Sequence, residues 1–418
     1  MKDKNPGFLK TNDLAILLLF SIFMNGFESG GYQAALIYIG QAYSLDTRAQ
    51  GIMASVELFA TMIAPLFLGT LADKIGKKIV LVFFTVLRAA ACMIILIATG
   101  SILFAIGIFA LGFATSIIQY VAIAQMIDGY PQSNHKRMGL IAAMYALGAV
   151  IAPLIVGNAV KTEAGWKAFF AVDVAFSLAL AVLLLITSFK PRETVSVNAD
   201  LSADETFIPV QPKEGIYVYG VILLSLIMFI YVGVENGVGF FITGFMKDTM
   251  NSMNGYLALS LFWMAMIPSR VLCGIFSKYR RALLVAAPTG ATISLAIFAV
   301  LRSENLALVI VSILGFFCGA VYPNVLTYAA DFSGRKTATV TAMITVATGI
   351  GATVVSASVG FLQAAFSFTG AFLILAAMLA LDIVFALLVI KHAEQKYQKS
   401  NSSHVNGALR CGVYDQER

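Results

Sequence analysis

Two glutamates sit in the middle of long apolar runs at matching places in the two halves of the chain. Glu28 lies in Phe27-Glu28-Ser29-Gly30-Gly31, and Glu235 in Val234-Glu235-Asn236-Gly237-Val238-Gly239. Each run is long enough to cross a bilayer. A carboxyl group at that depth costs roughly 3 kcal/mol on insertion scales, so it is rarely retained without a role. Desolvation disfavours the charged form of a carboxyl group, the property a proton carrier needs. Asn25, Glu28, Ser29 and Tyr32 follow i, i+3, i+4, i+7 spacing and share one helix face, which must turn away from lipid. That stripe is predicted to bind solute, with Glu28 cycling a proton; a structural hydrogen bond between helices is the alternative. Tyr231 lies one turn before Glu235 on the same face, Asn236 follows it, and Gly233, Gly237 and Gly239 permit the bend found in discontinuous transporter helices.

Further polar side chains interrupt apolar runs. Asn324, Thr327, Tyr328 and Asp331 share a face just past Pro323, and Asn324 is a candidate solute ligand. Gln119 and Thr115 share a face in another run. The flat ring of Trp263 suits the axial C–H groups of a sugar, with core packing as the alternative. Glu57, Arg88, Arg270, Asp128 and Asp331 are expected as structural or gating charges. Glu57 and Arg88 are candidates to pair with each other, and Asp128 and Asp331 to close helix-end or loop ion pairs.

Such residues need a membrane-spanning frame. Of 418 residues, 59% are hydrophobic and 12% charged, which excludes a soluble globular domain of this size. Twelve apolar runs are predicted as spans, at about 13–40, 49–71, 79–99, 102–127, 138–160, 167–189, 216–246, 254–276, 282–301, 306–330, 337–362 and 366–391. Their length and lack of period-two alternation exclude an outer-membrane barrel. The one long polar stretch, 190–215, divides the chain. The organisation expected is an N-terminal six-helix bundle at 1–189, a cytoplasmic linker at 190–215, a C-terminal six-helix bundle at 216–391 and a poorly ordered cytoplasmic tail at 392–418. The amino terminus, the even-numbered loops, the linker and the tail hold 21 of the 28 Lys and Arg, and the odd-numbered loops hold five. That bias places both termini in the cytoplasm and the chain in the cytoplasmic (inner) membrane. The net charge of +6 follows from this topology and is no nucleic-acid signal. The cysteines form no ligand spacing or disulfide framework. No metal or cofactor site is expected, and no hydrolytic or redox constellation points to an enzyme.

The halves repeat. Gly26-Phe27-Glu28-Ser29-Gly30 resembles Gly233-Val234-Glu235-Asn236-Gly237. Leu111-Gly112-Phe113 resembles Leu314-Gly315-Phe316, and each glycine is followed 16 residues on by an aspartate, Asp128 or Asp331. Parallel repeats about an axis along the membrane normal characterise one large transporter class.

Gly69-Thr70-Leu71-Ala72-Asp73-Lys74-Ile75-Gly76-Lys77-Lys78 resembles the signature loop of the major facilitator superfamily, G-x-L-A-D-[RK]-x-G-[RK]-[RK], and lies where that family has it, between spans 2 and 3. The resemblance implies an all-α fold of twelve transmembrane helices in two pseudo-symmetric bundles, acting as a monomer. It also implies a gating loop of Gly69, Asp73, Lys74, Gly76 and Lys77, in which Asp73 contacts the start of span 11 in the outward-open state. Tyr231 to Gly239, Gly315 to Asn324, and Phe262-Trp263 with Arg270 resemble spans 7, 10 and 8 of the fucose:proton symporters and related sugar transporters. Those symporters carry a second acid in span 4, where this chain has Gln119, so a proton step must use Glu28 or Glu235.

The function expected is a secondary active transporter. It moves a small polar solute such as a sugar, coupled to a proton or sodium gradient. The pattern G-x-x-x-[GA]-P-x-x-x-G at Gly148 to Gly157 resembles one associated with drug:proton antiporters and keeps an exporter of amphipathic compounds as the alternative. A sensor without transport is a third reading. A pump driven by ATP is disfavoured, because no G-x-x-x-x-G-K-[ST] loop occurs.

Overall fold

The computed structural model describes residues 11–68, 71–129, 134–159, 165–187, 189, 215–334 and 336–414. Every regular element among them is helical: α1 (Thr11–Ala42), α2 (Thr47–Leu68), the short α3 (Leu71–Ile75), α4 (Lys77–Ile97), α5 (Ser101–Gly129), α6 (Asn134–Ala159), α7 (Gly165–Ile186), α8 (Val218–Met250), α9 (Gly255–Ile275), α10 (Arg280–Val300), α11 (Glu304–Ser333) and α12 (Thr337–Tyr414), with one 3-10 turn at Ser277–Tyr279. Ten stretches are long and apolar enough to cross a membrane. One of them, Thr339–Glu394, contains Ser367 in a non-helical conformation (φ 63, ψ 172), which divides α12 into two spans. With α2, twelve spanning segments result, their limits within four residues of those predicted except at the carboxyl end. There the helix continues to Tyr414, where a poorly ordered tail was expected. Ala393-Glu394-Gln395-Lys396 are good helix formers and extend the last turn out of the apolar run.

Large apolar side chains point outward along the helices, including Phe83, Ile97, Ile102 and Val182. Water would not tolerate such a surface, and a bilayer requires it. Inside, the two halves use the same joints. In the first half α1 packs on α6, α2 and α4 on α5, and α4 on α7. In the second, α8 packs on α12, α9 and α10 on α11, and α10 on α12.

Glycines set the closest approaches. A Cβ on Gly148 would lie 2.1 Å from the Phe23 carbonyl oxygen of α1, and one on Gly351 would lie 2.0 Å from the Phe229 carbonyl oxygen of α8. The two joints are repeats of one another, and neither has room for a side chain. The halves meet through α2–α12, α6–α9 and α1–α8. Several of these contacts lie away from the face on which α7 ends and α8 begins, here called the linker face. Toward the opposite, far face, Gly51 meets the Ala357 carbonyl and Gly360, and Gly157 meets the Tyr256 ring. The glycines of the Gly148 to Gly157 pattern thus serve two helix contacts, one within a half and one between halves.

On the linker face, Gly76 adopts φ 98 between α3 and α4, a conformation that favours glycine. Lys78 Nζ donates to the carbonyls of Leu185 and Thr187 at 2.6 and 2.8 Å, closing the end of α7. Lys77 Nζ reaches the Ala124 carbonyl of α5 at 3.5 Å, and Lys74 is exposed. Gly69 and the side chains of Asp73 and Asp128 lie outside the described residues.

Candidate functional site

α1 carries the polar groups of the first half into its centre. Glu28 is fully buried, and neither carboxylate oxygen has a hydrogen-bond partner. The charged groups around it are Glu57 of α2, Arg88 of α4 and Asp173 of α7. Arg88 does not pair with Glu57, as the sequence suggested. Its Nε and Nη2 each donate at 3.0 Å to the two oxygens of Asp173, a two-pronged bond with both side chains buried. Its Nη1 donates to Asn25 Oδ1 at 2.8 Å and its Nη2 to the Met24 carbonyl at 2.6 Å. A planar fork matches a carboxylate best when both prongs engage, and α7 rather than α2 supplies a carboxylate in that position. Ser177 Oγ donates to Asp173 Oδ1 at 3.2 Å.

The stripe expected on α1 divides. Asn25 is engaged on both sides, since its Nδ2 donates to the Thr115 carbonyl at 3.1 Å. Tyr32 donates its hydroxyl to the Met53 carbonyl at 2.8 Å and packs edge-on against Phe240 of the other half. Both residues therefore tie α1 to neighbouring helices in this conformation. Gln119 is half-buried one turn past Thr115 towards the linker face, beside exposed Tyr120.

In the second half, Glu235 and Arg270 come together, with Arg270 Nη2 at 3.8 Å from Glu235 Oε1. Glu235 is buried, whereas the Arg270 side chain is 29% exposed. Tyr231 is buried one turn from Glu235, with its hydroxyl within hydrogen-bonding reach of that carboxyl group. Asn236 turns back to the Val232 carbonyl of its own helix at 2.9 Å. Asn324 is held elsewhere: its Nδ2 donates to the Arg280 carbonyl at the start of α10, at 3.0 Å. Arg280 also pairs with Asp331 at 2.8 Å, which ties this end of α11 to the start of α10.

Where the halves meet, the Trp263 indole donates to Gln33 Oε1 at 3.1 Å. Tyr145 of α6 lies edge-on to Trp263, and its hydroxyl is within hydrogen-bonding reach of Ser29. Ser260 Oγ donates to the Val150 carbonyl at 2.9 Å, again between halves.

Three buried carboxyl or carboxamide side chains escaped the sequence reading: Gln33, Asp173 and Asp382. Each interrupts an apolar run, which alone was sufficient signal. Gln33 also continues the α1 stripe at i+4 from Ser29. Asp382 of α12 is fully buried with neither oxygen partnered.

Known proteins give this arrangement its context. The chain is 23% identical over 269 residues to the glucose/mannose transporter GlcP of Bacillus subtilis (strain 168), a match covering 60% of this chain and 64% of that protein. The match therefore spans less than two thirds of that relative. It is 24% identical over 351 residues to a glucose/galactose transporter of Brucella abortus biovar 1, covering 80% of this chain and 82% of the relative. The fold aligns with the inward-open xylose transporter XylE of E. coli at a TM-score of 0.72 and 13% identity, covering 91% of this chain and 96% of that one. A model of the Major Facilitator Superfamily matches residues 18–347 and 224–410, and the chain belongs to that family.

Proposed function

We propose that this protein is a secondary active transporter that carries an uncharged, sugar-type solute across the cytoplasmic membrane by alternating access. The observation that carries the reading is a set of buried polar atoms on α1 and α5 without protein partners: both Glu28 oxygens, Gln33 Nε2 and Thr115 Oγ1. A buried polar group left unpaired costs about 1–3 kcal/mol. Several on two neighbouring helices fit a site completed by a polar ligand. The solute is uncharged on the same grounds. Arg88 is held by Asp173 and Arg270 faces Glu235, so each guanidinium charge at this site already has a carboxylate counter-charge. The relatives named for glucose, mannose and galactose transport support hexoses as the first compounds to try.

In this proposal Glu28 and Glu235 flank the path, and Glu28 carries the coupling proton, with sodium as the other candidate ion. Tyr231 and Trp263 meet the solute. Residues 1–189 and 216–391 form the two rocking bundles, joined by the cytoplasmic linker 190–215. Both termini are cytoplasmic by the distribution of Lys and Arg, and the working unit is a monomer. The closed far face, with Tyr120 and Tyr322 exposed towards the linker face, fits a state open to the cytoplasm.

A thermal-shift screen of purified protein tests the solute class. Ligands that bind the folded state raise its apparent stability by mass action. Stabilisation by hexoses that disappears in Trp263→Ala supports the proposal. Stabilisation confined to hydrophobic cations, and lost in Glu28→Gln, replaces it with the exporter.

A further inference from the structure

Gln33 of α1 lies against α8 and α9 of the other half. Its side chain is 1% exposed, and its Oε1 accepts from the Trp263 indole of the other half. Its Nε2, with two N–H donors, has no acceptor in the protein. α8 makes room for it with a glycine: a Cβ on Gly239 would lie 2.7 Å from Gln33 Oε1 and 3.0 Å from Nε2. One turn outward, α1 and α8 line a cavity on the far face, with Ile37, Gly40, Phe240, Gly244, Asp248 and Gln363 in its wall. One turn inward on α1 lies Ser29, beside Tyr145 and hence the Trp263 ring. The Gln33–Trp263 bond therefore stands between that outer cavity and the interior.

We propose that the Gln33 side-chain amide is a solute-binding group, and that its bond to the Trp263 indole closes the far face until a solute hydroxyl takes the indole's place. This deepens the transport reading and rests on it. A carboxamide presents one acceptor and two donors in a plane. A hydroxyl, or two neighbouring hydroxyls of a sugar, satisfies both edges at once by donating to Oε1 and accepting from Nε2. The indole is a donor only, so it satisfies Oε1 and leaves Nε2 unmet. The exchange of partners gains the missing bond and frees the cross-half contact. An apolar compound offers Nε2 nothing, so the device favours polyhydroxyl solutes.

The test is counterflow exchange of radiolabelled D-glucose, D-galactose or D-xylose in proteoliposomes holding the full chain, which needs no ion gradient. Gln33→Glu keeps an acceptor for Trp263 and loses the two amide donors. Gln33→Met removes both. Gly239→Ala leaves the amide intact and crowds it from the partner helix. Both Gln33 variants are expected to raise the exchange KM about tenfold or more, the scale of a lost buried hydrogen bond, with maximal rate within about threefold. Gly239→Ala should raise KM as well. Fluorescence gives an independent readout, because the chain has only Trp166 and Trp263. In Trp166→Phe, added sugar should change Trp263 emission, and the change should be lost in the Gln33→Met background. Wild-type exchange with an unchanged KM in both Gln33 variants overturns this inference alone. Absence of exchange of any sugar by the wild-type chain overturns the sugar-transport reading and this inference with it. Variants that do not fold leave the Gly239→Ala and Trp263 emission measurements to decide, where no change in either counts against it.

Discussion

The two halves share a backbone plan and differ in what they bury at its centre. α4 and α10 are equivalent helices of 21 residues; eleven residues in from the start, α4 has Arg88 and α10 has Ala291, both buried. The first half answers that arginine with Asp173, Asn25 and the Met24 carbonyl, and keeps Glu28 and Glu57 nearby. The second half has Ala291 at the equivalent place and forms its ion pair, Glu235 with Arg270, where the arginine is partly exposed. The difference teaches that a repeated fold need not repeat its chemistry. A sealed ionic network fixes helices and shelters a protonatable group, whereas a partly open pair can respond to whatever enters.

The comparison is sharpest at its centre. Arg88→Ala leaves Asp173 buried without its partner, and breaking one side of a buried pair costs about 3–5 kcal/mol. A large fall in thermal unfolding temperature is expected, partly restored by combining it with Asp173→Ala. Ala291→Ser, at the equivalent place, should change stability by less than about 1 kcal/mol. Similar effects at the two positions would remove the distinction.

The shared backbone gives the next prediction. Gly148→Val and Gly351→Val should destabilise alike, by about 1–3 kcal/mol or more, because each drives a side chain into a facing carbonyl. Unequal losses in the same unfolding assay would show that the joints are not equivalent.

The smallest effect separates two tyrosines. Tyr32→Phe gives up a hydrogen bond to Met53, about 1 kcal/mol of stability, and leaves solute affinity unchanged. Tyr231→Phe should weaken solute binding with little loss of stability. Direct binding titrations on both variants decide this, and the reverse pattern would exchange their roles.

The frame was legible in the sequence for a simple reason. A bilayer forces each span to be an apolar run of about 20 residues, so the spans appear without any knowledge of packing. The repeat was legible too, because it rests on local residue types. Partners were not. Whether Arg88 meets Glu57 or Asp173 depends on which neighbouring helix presents a carboxylate at its depth, and helical spacing within one span says nothing about that. The stripe on α1 shows the same limit. Asn25 and Glu28 do avoid lipid, but they turn into their own half, while Tyr32 and Gln33 meet the other. Asn324 was singled out by the polar face past Pro323, and spacing on one helix could not foresee that its amide donates to the Arg280 carbonyl of α10 while its Oδ1 has no partner.

The central claim is that Glu28, sheltered in the ionic half, couples a gradient to movement of a neutral solute. Uptake of labelled D-glucose into proteoliposomes, with and without an imposed proton gradient, tests it for the wild-type chain and for Glu28→Gln. The account predicts that the gradient drives accumulation in the wild type. Glu28→Gln should keep solute exchange and lose accumulation. Undiminished gradient-driven accumulation in Glu28→Gln would contradict it.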